Sequence, residues 1–84
     1  MFFNRSQLVE KIDQGPRKSW ANWVTTSGDR GSYGTNAVRF ATKDECDKAG
    51  AELASRWFAV VDYISVPSDD EVNYKFENGR SVSI

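Results

Sequence analysis

Eighty-four residues make one domain with a small core, because a chain this long buries only roughly 60–65% of the surface its unfolded form exposes. Val, Ile, Leu and Phe together supply 18 residues and the net charge is −1, a balance that favours folding, so residues 1–84 read as a single domain. One cysteine and no histidine exclude a disulfide framework, a multi-thiolate zinc site, imidazole metal sites and Ser-His or Cys-His catalytic pairs. The apolar runs are too short to span a bilayer and Met1-Phe2-Phe3-Asn4-Arg5 does not build a signal peptide, so the expected location is cytoplasmic.

The first element is a short N-terminal helix. Asn4 can cap it, Gln7 stands three residues on to close a capping box, and Phe3 with Leu8 has the spacing of a hydrophobic staple. Leu8, Val9 and Ile12 give it an apolar stripe, and Gly15-Pro16 supplies a stop. Ser19 to Thr26, rich in β-branched and aromatic residues, predicts a strand. The glycines of Gly28–Gly34 predict a hairpin tip that presents Arg30 and Tyr33. Known phosphate cradles lead into a helix, and this loop leads into Ala37–Phe40, a second alternating strand.

The principal helix is predicted from about Lys43 to Trp57. Thr42 with Glu45 fits a second capping box, and Asp44–Lys48 and Glu52–Arg56 are acid-before-base pairs four residues apart. Cys46, Ala49, Gly50, Leu53, Ala54 and Trp57 make one stripe at helical spacing. Phe58–Val66 predicts a third strand. Val72, Tyr74 and Phe76 alternate with polar residues, and a three-residue Glu77-Asn78-Gly79 loop would pair Phe76 with Arg80 and Tyr74 with Val82, keeping the apolar set on one side. The fold class is therefore α+β: a small antiparallel sheet of 4–5 strands, the principal helix about 43–57 and the short N-terminal helix, in two layers.

The chemistry is sparse. Asp69-Asp70-Glu71 and Asp44-Glu45-Asp47 lack the alternating oxygens and central glycine of a calcium loop, so no metal site and no cofactor are expected. No nucleophile–base pair marks an enzyme. Cys46 lies on the apolar stripe as a small hydrophobe. Aromatic residues make 13% of the chain, and the odd separation of Trp20 and Trp23 puts them on opposite faces of their strand. Either the N-terminal helix covers the second face, or one tryptophan is exposed there with Arg39 or Tyr63. Residues 1–40 carry net +3 and residues 41–84 net −4, a polarity that would orient the molecule towards a charged partner.

Val38-Arg39-Phe40-Ala41-Thr42, the Lys43–Ala54 helix, Arg56-Trp57-Phe58 and Val72-Asn73-Tyr74 resemble small uncharacterised proteins encoded by bacteriophages and other mobile elements, over about half the chain. The resemblance implies a viral or prophage source and transfers no functional residue. The expectation is a non-enzymatic protein-binding domain, of phage origin, that occupies or inhibits a host or phage protein. Trp20, Trp23, Arg30, Tyr33 and Arg39 are its expected anchors, and a homodimer through the terminal edge strand fits this reading. The alternative is single-stranded nucleic-acid binding through the same aromatics and arginines, against which stand a pI of about 5.3 and the lack of a basic cluster.

Overall fold

A computed structural model describes residues 2–14 and 17–84. The chain is a small α+β protein with the order α1 (Arg5–Ile12), β1 (Ser19–Thr26), β2 (Gly34–Thr35), α2 (Lys43–Arg56), β3 (Val60–Ser68), β4 (Tyr74–Glu77) and β5 (Arg80–Ser83). Strands β2-β1-β3 form one antiparallel sheet and β4-β5 a second. The expected single sheet is thus two ladders, joined where Phe40 bridges antiparallel to Trp20 and parallel to Tyr74.

The N-terminal helix forms as its local signals require. Gln7 N–H donates to Asn4 Oδ1 at 2.9 Å and Asn4 N–H to Gln7 Oε1 at 3.0 Å, closing the capping box. The helix ends at Ile12; the expected Gly15-Pro16 stop lies outside the described residues. In α2, Thr42 Oγ1 accepts from Glu45 N–H at 3.1 Å, but the reciprocal half of the expected box is absent. Glu45 instead accepts the backbone N–H of Phe76 at 3.2 Å, which ties the helix start to the final hairpin. The helix stops one residue short of the expected 57, with Trp57 as its C-cap.

The second strand is the main local correction. The chain pairs with β1 at Gly34 and Thr35, leaves the ladder, and returns only at Phe40, whose N–H and carbonyl exchange bonds of 3.0 and 2.8 Å with Trp20. Residues 36–39 bulge because Arg39 turns its guanidinium back onto the carbonyls of Asn36 and Val38. The third strand runs Val60–Ser68 rather than Phe58–Val66, since Trp57 carbonyl accepts from Val60 N–H in a tight turn that takes Phe58 out of the ladder.

The final hairpin has the register that apolar matching disfavours. Asn78-Gly79 is a two-residue turn, Glu77 faces Arg80, and Lys75 faces Val82. Both turn residues have positive φ, 54° and 77°, the conformation that an Asn-Gly hairpin turn selects.

The two helices lie on opposite faces of the three-stranded sheet, so the expected two-layer arrangement becomes three layers there. Residues 21 and 23 of β1 and 64 and 66 of β3 share the α1 face, where Leu8, Tyr33 and Val66 form a buried cluster with Phe3, Ile12, Trp23 and Ile64 packed on it. The other face carries Trp20, Asn22, Tyr63 and Ser65 beneath α2. Gly50 allows this approach: a Cβ there would stand 2.5 Å from Tyr63 Cδ2 and 3.0 Å from both polar atoms of the Asn22 side chain. Among the described residues no helix is long and apolar enough to cross a membrane.

Candidate functional site

The five expected anchors do not share a surface. Trp20 is half-buried on the α2 face, its backbone committed to Phe40. Trp23 lies on the opposite face, as the odd spacing requires, half-buried beneath α1 with its ring edge-on to Phe3 at 5.3 Å. Tyr33 is 5% exposed and is not a loop-tip anchor. Its backbone pairs with Phe3, and its hydroxyl donates to Asp62 Oδ2 at 2.5 Å while accepting from Arg5. Burial, then the bond to Asp62, pushes its phenol above the usual range. The Arg39 side chain is 13% exposed and turned inward: Nε donates to Ser68 Oγ at 3.1 Å and Asp70 Oδ2 at 3.0 Å, Nη1 to two carbonyls. Arg30 alone stands exposed at the hairpin tip, with φ 51° beside Gly31 at 84°.

The acidic runs also have structural partners. Asp69, Asp70 and Glu71 pair with Arg17, Arg39 and Lys18 at 2.5, 3.0 and 2.9 Å. On α2, Asp44 pairs with Lys48, Asp47 with Lys43, and Asp47 also accepts from Ser65 Oγ at 2.5 Å. Cys46 is fully buried beside them, and burial pushes its thiol up to about 11, which leaves it a poor nucleophile.

What the fold builds instead is a trough along one flank of α2. The departure of residues 36–39 from β1 leaves that flank of the helix uncovered. At its wider end lies a cavity of about 360 Å³ with Leu53 and Trp57 on one wall, Phe2 and Gly34 on the other, and Val24 and Asn22 below. Gly34 lets the Phe2 ring lie on the β2 backbone, since a Cβ there would meet Phe2 Cε1 at 2.9 Å. A second hollow of about 180 Å³ continues along the helix between Ala49, Leu53 and Arg56 on one side and Val38 and Phe40 on the other, sharing Asn22, Asn36 and Leu53 with the first. Asn22 Oδ1, at the junction, is buried and accepts no hydrogen bond. Asp29 stands at the mouth, its carboxyl held below the usual carboxylate range by the N–H and hydroxyl of Thr26.

Sequence reasoning placed Leu53 and Trp57 on the stripe that packs on the sheet and assigned Phe2 and Asn22 no role. The stripe itself was sound. The missing information was that the return strand would bulge and leave the end of the stripe open. Trp57 remains 46% exposed. The open aromatic sheet face expected for stacked bases is not present in the three-stranded sheet, because α1 covers one side and α2 the other.

The chain matches no family model, no curated protein and no solved structure.

Proposed function

We propose that the chain is a non-enzymatic protein-binding domain that takes an extended segment of a partner protein into the trough beside α2. The observation that carries this reading is the trough itself: a long apolar hollow, walled by Phe2, Leu53 and Trp57, with Asn22 on its floor at the junction of the two halves. Apolar side chains of the segment would fill the two hollows on either side, the pattern by which grooves with a few convergent polar groups hold ligands. The anchors of this reading are Phe2, Asn22, Leu53 and Trp57, with Arg30 at the neighbouring hairpin tip. The phage resemblance makes the partner a host protein met in the host cytoplasm.

Selection from a displayed random-peptide library tests the reading. Enriched peptides are expected to carry bulky apolar residues flanking one backbone position, and to lose about tenfold or more in affinity on Trp57→Ala or Phe2→Ala while Ile84→Ala, a remote exposed position, changes nothing. A library that enriches no peptide, or peptides that bind Trp57→Ala as tightly as the parent, would refute it.

A further inference from the structure

The trough is apolar along most of its length, but its charge is uneven. Of the residues that line the wide hollow, Asp29 alone is charged. At the narrow end the two charged residues, Glu52 and Arg56, pair with each other across one turn of α2. The wide end therefore presents a net negative charge and the narrow end none. Among the described residues Asp29 forms no ion pair, with neighbouring Arg30 or with any other cation.

The turn that carries Asp29 fixes its carboxylate. Asp29 N–H donates to the Thr26 carbonyl at 3.0 Å, and Asp29 Oδ2 accepts from Thr26 N–H at 2.9 Å and from Thr26 Oγ1 at 2.8 Å. Ser32 N–H closes the other side by donating to the Asp29 carbonyl at 3.0 Å. Among the described residues Oδ1 is left without a donor. A carboxylate held in this way receives a cation without first losing its own freedom. The same hollow is walled by Phe2 and Trp57, 71% and 46% exposed, whose rings attract cations as well as apolar groups.

The bonding of the carboxylate also distinguishes between cations. Oδ2 already accepts two bonds, so a guanidinium cannot spread its fork over both oxygens, and its advantage over an ammonium is lost. An ammonium is a compact point charge that needs one oxygen, and its four-carbon stem lies readily along apolar walls.

We infer that the wide end of the trough takes a lysine side chain of the bound segment, its ammonium on Asp29 Oδ1 and its stem between Phe2 and Trp57. This rests on the reading of the trough as a peptide site and adds the chemistry of the peptide: apolar residues for the two hollows and one lysine at the acidic mouth. At about 360 Å³ against 180 Å³, the wide hollow has room for that stem beside an apolar side chain. Alternate residues of an extended segment share a side, so the lysine stands two residues from the apolar one in the wide hollow. The charge also sets direction, because a reversed segment would leave its lysine over the neutral narrow end.

Parallel selections of the displayed library on the parent and on Asp29→Asn test this. Asparagine still accepts both Thr26 bonds through its side-chain carbonyl, so the substitution removes the charge and keeps the turn. Peptides enriched on the parent are expected to carry lysine at that spacing, and those enriched on Asp29→Asn to keep the apolar residues and lose the lysine. In a parent-selected peptide, lysine replaced by norleucine should weaken binding about fivefold at low salt and less at high salt, with no change on Asp29→Asn. Parent-selected peptides with no basic residue at a fixed place overturn the lysine and leave the trough reading standing. Arginine in its place overturns the choice of an ammonium, and lysine enriched equally on both proteins overturns the role of Asp29. If neither protein enriches a peptide, the trough reading falls and the lysine falls with it.

Discussion

Cys46 shows how far a single side chain's behaviour follows from its surroundings. Its thiol is enclosed beneath α2, and desolvation raises it from an ordinary value near 9 to about 11. A group whose folded value is raised contributes stability that is whole below the unfolded value and is lost as pH rises through the folded one. The thiol contribution therefore fades between pH 9 and 11, and the raised Tyr33 phenol acts in the same sense at the alkaline end. At pH 8 the native protein should leave a thiol reagent such as dithiobisnitrobenzoate unreacted, and urea-unfolded protein should react at once; rapid reaction of the native state would mean the site opens locally. The burial of Cys46 was legible from helical spacing alone. The burial of Tyr33 and Arg39 was not, because their partners Asp62 and Asp70 lie 29 and 31 residues away and no local pattern announces them.

Among elements, α2 was the most legible because its instructions are local: Thr42 at the cap, acids in the first turn, and ion pairs four residues apart, all of which form. Its seat on the sheet depends on Gly50. Gly50→Ala should destabilise the fold by about 1–3 kcal/mol through the clash with Tyr63 and Asn22, lowering the melting temperature by about 4–8 °C per kcal/mol, even though alanine is the better helix former. A melting temperature equal to or above the parent's would show that Tyr63 moves aside freely. The final hairpin was misread for a reason of relative magnitude. Its side chains are at most half-buried, so gathering the apolar ones on one face gains little, and the Asn78-Gly79 turn, which fits its geometry without strain, decides the register. The second strand failed differently: alternation at Ala37–Phe40 was real, but Arg39 draws three of those four residues out of the ladder.

For the whole molecule, the uneven charge of the two halves has a meaning other than attraction to a partner. Arg5, Arg17, Lys18 and Arg39 of the basic half each pair with an acid of the other half: Asp62, Asp69, Glu71 and Asp70. The polarity along the sequence becomes complementarity within the fold, closing the chain on itself. These pairs are unequal, since exposed ones contribute about 0–1 kcal/mol while charged hydrogen bonds in a sheltered site contribute more. Arg39→Met should lower the unfolding free energy in urea by about 2 kcal/mol, whereas Lys18→Met, on an exposed pair, should leave the urea midpoint unchanged. The reverse order would mean that Arg39 is held in place by the bulge and does not hold it.

The pairing of β1 with β3 has a consequence in time. Its rungs join residues 34 apart at Thr26–Val60 and 49 apart at Ser19–Ser68, so the ladder at the centre of the core can form only after a long stretch of chain has been closed into a loop. Closure of that kind places a small mixed domain between the microsecond helical bundles and the slowest all-β folds. Most of the intervening chain that has local order of its own is α2, whose capped and ion-paired 14 residues shorten the gap to be bridged. The meeting of the two ends of the molecule is then the slow event, and the helix between them is what makes that meeting frequent.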